Sequence, residues 1–163
     1  MKALVTGVKG QLGYDVVNEL TKRGYEAVGV DIEEMDITDE ASVNKVVKEC
    51  NPDVVVHCAA WTAVDAAEDE ENIPKVMAVN AKGTENIAKV CKEHNKNFMV
   101  VTQMLDSMIR NPYPTRAEVN DIYHAVHQGA NALMLTGETA HGRYPVEAMK
   151  MLVETANGSL EEL

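Results

Sequence analysis

Residues 3–17 read "ALVTGVKGQLGYDVV". A short apolar run ends at Thr6, and Gly7, Gly10 and Gly13 follow at GxxGxxG spacing. Apolar residues then recur every four positions, at Leu12, Val16 and Leu20. Strand, turn and helix in that order form the cradle that a pyrophosphate needs. Gly7 permits the tight turn, Gly10 lets backbone approach the phosphates, and Gly13 allows close helix–strand packing. The helix start adds unpaired N–H donors and partial positive charge. Lys9, Gln11 and Leu12 complete the expected contact loop. Asp31, 18 residues after Gly13, ends a second apolar run, where its carboxylate can accept hydrogen bonds from a ribose diol. The alternative is that the glycines serve packing alone.

Working outward, strand-like runs at 2–6, 27–31, 53–58, 98–102 and 132–136 alternate with helical periods. Val43, Val46, Val47 and Cys50 form one stripe; Val76, Val79, Gly83, Ile87, Val90 and Cys91 form another. Thr115 and Glu118 make a capping box after Pro114, Val119, Ile122, Tyr123 and Val126 follow, and Gly129 stops that helix. Pro145 opens a last helix with an expected apolar face of Val146, Met149 and Leu152 or Val153. A short extra strand is expected at 34–37. Such alternation predicts an α/β fold: a doubly wound, Rossmann-like parallel sheet of order 3-2-1-4-5-6 in three α/β/α layers.

Hydrophobic residues make up 45% of the 163 but aromatics only 4%, so the core is aliphatic. The net charge of −11 leaves no basic footprint for nucleic acid or an anionic membrane. Cys50, Cys58 and Cys91 lack CxxC spacing and read as reduced core cysteines of a cytoplasmic protein. No apolar run approaches the ~18 residues of a membrane span, and no signal peptide is visible. His124 and His127, beside Asp121, read as a solvated helix face rather than a metal site, and no metal ligands are expected.

Residues 1–101 resemble the first part of an extended short-chain dehydrogenase/reductase, most closely the dTDP-4-dehydrorhamnose reductases. The pieces that carry the resemblance are "TGVKGQLG", "DIEEMDIT", "PDVVVHCAAWTAVDAAE" and "VNAKGTENIAKVC". It implies NAD or NADP as cofactor, with Asp36 and Ile37 flanking the adenine and Cys58, Ala59 and Ala60 lining the nicotinamide-side ribose. It also implies Asn80 on the helix behind the site. The helical stripe separately puts Asn80 on a buried face, where it could equally be a structural, helix-bending residue. Asp31 disfavours a 2′-phosphate whereas Lys9 favours one, and the balance leans to NADH with NADPH tolerated.

These reductases use a Ser or Thr after the fifth strand and then Tyr-x-x-x-Lys, the lysine lowering the tyrosine's pKa. Four places after Tyr14, Tyr25, Tyr113, Tyr123 and Tyr144 stand Asn18, Gly29, Ala117, His127 and Ala148. None is lysine, so no catalytic residue is assigned, although Thr102 could stand for the Ser/Thr and is kept as a cofactor contact.

Residues 102–156 instead resemble pyruvate kinase, in the last two strand–helix units of its TIM barrel. "TQMLDSM", "PTRAEV" and "GETAHGRYP" carry this second resemblance. Thr136 and His141 depart from the usual Ser and Lys. Two barrel strands can neither close a barrel nor transfer phosphoryl groups. The two resemblances imply a chimera, engineered rather than natural, folded as one hybrid domain over 1–156 with a tail at 157–163. Its expected function is a residual dinucleotide half-site, the alternatives being a purely structural chimera or a working reductase. The edge strand 132–136 is expected to favour a homodimer.

Overall fold

In the computed structural model the described residues are 1–101 and 103–161. The chain divides into two compact units, Met1–Asn97 and Phe98–Leu163, where the sequence suggested one hybrid domain.

In the first unit β1 (Lys2–Thr6), α1 (Gln11–Lys22), β2 (Glu26–Val30), α2 (Glu40–Cys50) and β3 (Val54–His57) follow in sequence. β1 pairs in parallel with β2 from Lys2↔Glu26 to Thr6↔Val30 and with β3 from Ala3↔Val54 to Thr6↔His57. The order β2-β1-β3 reverses direction at β1, so right-handed crossovers place α1 and α2 on opposite faces. Two short helices, α3 (Val64–Ala67) and α4 (Ile73–Val76), lead into a π-helix at Met77–Gly83 and then α5 (Thr84–Glu93). α5 packs on α2 and β3. Ala3, Leu4, Val5, Val43, Val47, Ile87, Val90 and Cys91 are buried, as the aliphatic pattern requires.

The second unit contains β4 (Met99–Val101), a 3-10 turn at Asp106–Ile109, α6 (Arg116–His127), β5 (Ala132–Met134), α7 (Gly137–Ala140) and α8 (Pro145–Leu160). β4 and β5 are parallel, with Val100 opposite Leu133. Both residues pack on a core of Met104, Leu105, Met108, Ile122, Ala125, Leu135, Ala148 and Leu152. The capping box of α6 forms in full: Thr115 Oγ1 accepts from the Glu118 N–H, and the Glu118 carboxylate accepts from the Thr115 N–H.

Several expectations need correction. The six-strand order survives only as its 2-1-4 part (β2-β1-β3) and its 5-6 pair (β4-β5). Residues 34–37 form a turn, because the N–H groups of Glu34 and Met35 fold back onto Asp31 O instead of entering a ladder. Asn157–Leu160, expected as tail, continue α8, and the buried Ser159 donates its hydroxyl to Thr155 O. The buried face of α8 is Ala148 and Leu152, while Val146, Met149 and Val153 are exposed. Leu12 is likewise exposed. The strand expected at 132–136 is only three residues long, and Leu135 turns into the core.

Two carboxylates organise the second unit. Glu138, 1% exposed, accepts the N–H groups of Leu105 (3.0 Å) and Thr136 (2.9 Å). Glu118 accepts from the N–H and hydroxyl of Ser107 and of Thr115. Burial pushes both pKa values up, but the converging donors outweigh it and hold both below the ordinary glutamate value. Carboxyls with depressed folded values stabilise the fold fully above their unfolded pKa, and that contribution disappears as pH falls through the folded value. Urea denaturation followed by circular dichroism should therefore show stability declining below about pH 4.3. Glu138→Ala should remove about 2–4 kcal/mol at pH 7 by orphaning the buried Leu105 N–H and the part-buried Thr136 N–H and flatten part of that acid limb.

Candidate functional site

The carboxyl ends of β1, β2 and β3 converge at one end of the first unit. Gly7 has φ +67, and a Cβ there would stand 2.7 Å from Ala59 Cα. Only glycine fits, and this contact brings the turn after β3 against the turn after β1. A Cβ on Gly13 would collide with Gly7 O, whereas one on Gly10 would meet only that same oxygen, at 3.3 Å, and otherwise face open space. Gly10 is the N-cap of α1 but offers no side-chain acceptor, and the first turn of α1 carries no acid. Its leading N–H groups thus remain available beside Gln11 and the exposed Leu12.

Asp31 stands just past β2, across from this turn. Its Oδ2 accepts the Lys9 N–H and its Oδ1 the Ile32 N–H, both at 2.9 Å. Partial burial pushes its pKa up, but these two donors and the Lys9 charge hold it below the usual carboxylate value. The Lys9 ammonium points to Glu33, 2.7 Å away, and this hydrogen bond holds its pKa up. Asp31's own N–H donates to the Glu34 carboxylate. Lys9 is therefore surrounded by three acids, which the glycine spacing alone does not reveal.

Behind the turn lies a hydrogen-bond chain that the motif reading missed. Thr6 Oγ1 accepts the N–H groups of Cys58 (3.0 Å) and Ala59 (3.1 Å) and lies 2.8 Å from His57 Nδ1. His57 Nε2 lies 3.3 Å from Thr84 Oγ1, whose hydroxyl donates to Asn80 O. Burial pushes the His57 pKa down and the Cys58 thiol up. The sequence held a signal for this chain, two polar residues closing apolar strands, "LVT" and "VVVH", which become register partners.

Asn80 is exposed, not on the buried stripe. The π-helix inserts an extra residue per turn and rotates the pattern, so the buried polar residue is Asn86, donating to Ile37 O at 2.9 Å. Asn80 clamps the backbone of Trp61 instead, accepting its N–H at 2.7 Å and donating to its carbonyl at 3.1 Å. Asp36 spends its carboxylate on the Thr38 N–H and hydroxyl. Ile37 is buried against Gly83, so its side chain serves the core. Ala60 follows Ala59 on the exposed rim. Thr102 lies outside the described residues. Among the described residues no three His, Cys, Asp or Glu side chains gather as a metal site, and no helix is long and apolar enough to cross a membrane.

The model of the RmlD substrate binding domain matches residues 1–120. The chain belongs to that family. A solved dTDP-4-dehydrorhamnose reductase from Clostridium acetobutylicum is 35% identical with a TM-score of 0.57, covering 63% of this chain and 36% of that one. The Bacillus anthracis dTDP-4-dehydrorhamnose reductase, solved in complex with NADP, is 34% identical with a TM-score of 0.56 over the same shares. Pyruvate kinases match a different segment. That of Chlamydia muridarum is 54% identical over 66 residues, 40% of this chain and 14% of the enzyme. That of Thermotoga maritima is 51% identical over 77 residues, 47% and 16%. The chain thus spans just over a third of the reductases and about a seventh of the kinases.

The sole tryptophan reports on the Asn80 clamp. Asn80→Ala should cost about 1–3 kcal/mol through two lost hydrogen bonds and should red-shift Trp61 emission while lowering its anisotropy. Unchanged emission would mean that Asn80 does not hold the loop.

Proposed function

We propose that this chain is a hybrid α/β scaffold, of engineered chimeric origin, that retains a dinucleotide half-site without complete catalytic machinery. The observation that carries the reading is the open backbone cradle at Gly7–Gly13, facing the Asp31 carboxylate across the ends of adjacent strands. An uncapped helix N-terminus offers N–H donors to a pyrophosphate, and open space at Gly10 admits it. Asp31 retains lone pairs for a ribose diol. The NADP held by the Bacillus anthracis reductase supports a dinucleotide as the ligand, and Gly7, Lys9, Gly10, Gln11, Leu12, Gly13 and Asp31 would be its contacts. Cys58, Ala59 and Ala60 would form the wall toward the nicotinamide side, with Asp36 and Ile37 flanking the adenine. The chimeric origin is supported by the two families that match different segments of the chain. The absence of Tyr-x-x-x-Lys from the sequence supports binding without hydride transfer.

Lys9 bears on which dinucleotide is preferred. Its charge is engaged by Glu33 and its N–H by Asp31, so a 2′-phosphate would meet Asp31, Glu33 and Glu34 with little free cation. Calorimetric titration should find NADH bound more tightly than NADPH. Gly10→Val should abolish both by filling the pyrophosphate space. Glu33→Gln should release Lys9 and improve NADPH about tenfold relative to NADH, and adding Lys9→Ala should cancel that gain. Absence of binding by either cofactor would favour a purely structural chimera.

A further inference from the structure

The proton inventory of the Thr6–His57 chain has one consistent solution. Thr6 Oγ1 has two lone pairs, and the N–H groups of Cys58 and Ala59 take both. Its hydroxyl proton must then point at the remaining neighbour, His57 Nδ1, 2.8 Å away. Nδ1 is therefore an acceptor, and the neutral ring carries its proton on Nε2. That N–H faces Thr84 Oγ1, which is free to accept because its own proton goes to Asn80 O at 2.8 Å. Every donor has an acceptor, and the direction is fixed from the turn after β3 to the π-helix.

We propose that His57 is a positioning residue of the half-site: its neutral imidazole holds the Cys58–Ala59 turn against Gly7 through the Thr6 hydroxyl, and its protonation releases that turn. A proton added at Nδ1 would face an oxygen with no lone pair to spare. The Thr6 hydroxyl would have to rotate, displacing the N–H of Cys58 or Ala59. Ala59 packs directly on Gly7, at 2.7 Å from where a Cβ would stand, so a loosened turn no longer braces the glycine loop.

The groups facing His57 are uncharged: Thr6 from β1 and Thr84 from α5. The charged residues of the neighbouring elements are engaged elsewhere, Lys2 with Glu26, Glu85 with Lys82, and Lys89 with Glu40. Burial alone lowers the His57 pKa. A histidine with a lowered folded value contributes fully above its unfolded pKa, and the contribution is lost as pH falls through the folded one.

The ligand consequence rests on the dinucleotide reading, but the positioning role does not, and the test separates them. Long-range ¹H–¹⁵N spectra of the imidazoles at pH 8 should show His57 as the Nε2–H tautomer. On acidification the Cys58 and Ala59 amide shifts should titrate together with the ring, at a midpoint below the ordinary histidine value of about 6.5. NADH affinity should fall about tenfold from pH 7.5 to 5, the effect of a one-unit difference in the ring's pKa between the free and bound states. His57→Gln, which keeps a side-chain oxygen that does not titrate, should flatten that dependence. Thr84→Val, at an exposed position, offers a second variant and should shift the ring's midpoint while the fold stays intact. An Nδ1–H tautomer, or amide shifts that ignore the ring, would overturn the proposal. If ring and amides behave as stated but NADH binds at no pH, the positioning role stands and the dinucleotide reading falls.

Discussion

The approach of Gly7 to Ala59 is the contact on which the first unit depends. It occurs where two parallel strands, β1 and β3, end in register, and it leaves no room for a side chain. The backbone N–H groups of the second turn must then find acceptors in a tight, largely buried space. Thr6, 1% exposed, supplies one oxygen for two of them. A small hydroxyl at the last position of β1 thereby joins both turns, and His57 and Thr84 extend the connection to the π-helix. The glycine loop is thus open on its outer side at Gly10 and braced on its inner side at Gly7.

The second unit solves a similar problem with carboxylates. Segments 103–115 and 136–144 have little regular structure of their own, and their N–H groups need acceptors. Glu118 and Glu138 provide these at two hubs, one at the α6 N-terminus and one beneath the 3-10 turn. Apolar burial by Leu105, Met108, Ile122 and Leu152 supplies the driving force. The hubs determine which way the loops run.

The strand–turn–helix opening, the α6 capping box and the two family resemblances were legible in the sequence because each depends on residues close together in the chain. The glycine loop could be read at Gly7, Gly10 and Gly13 from spacing alone. What stayed hidden depends on long-range geometry. The face of Asn80 could not be read because a π-helix has the same composition as an α-helix but a different period. The 34–37 strand failed because its N–H groups had a closer acceptor in Asp31 O. Glu33 meets Lys9 across 24 positions of chain, and Thr6 and His57 become partners only through strand register. The α8 face was misjudged because small Ala148 packs where the larger Val146 and Met149 were expected.

The central claim is that the ends of β1, β2 and β3 form a braced dinucleotide half-site. An amide ¹H–¹⁵N map recorded during NADH titration at pH 7.5 tests it most directly. The account predicts saturable shifts at residues 7–13, 31–33 and 58–60, with α6 and α8 unmoved. Shifts confined to other residues, or none at saturating cofactor, would contradict it.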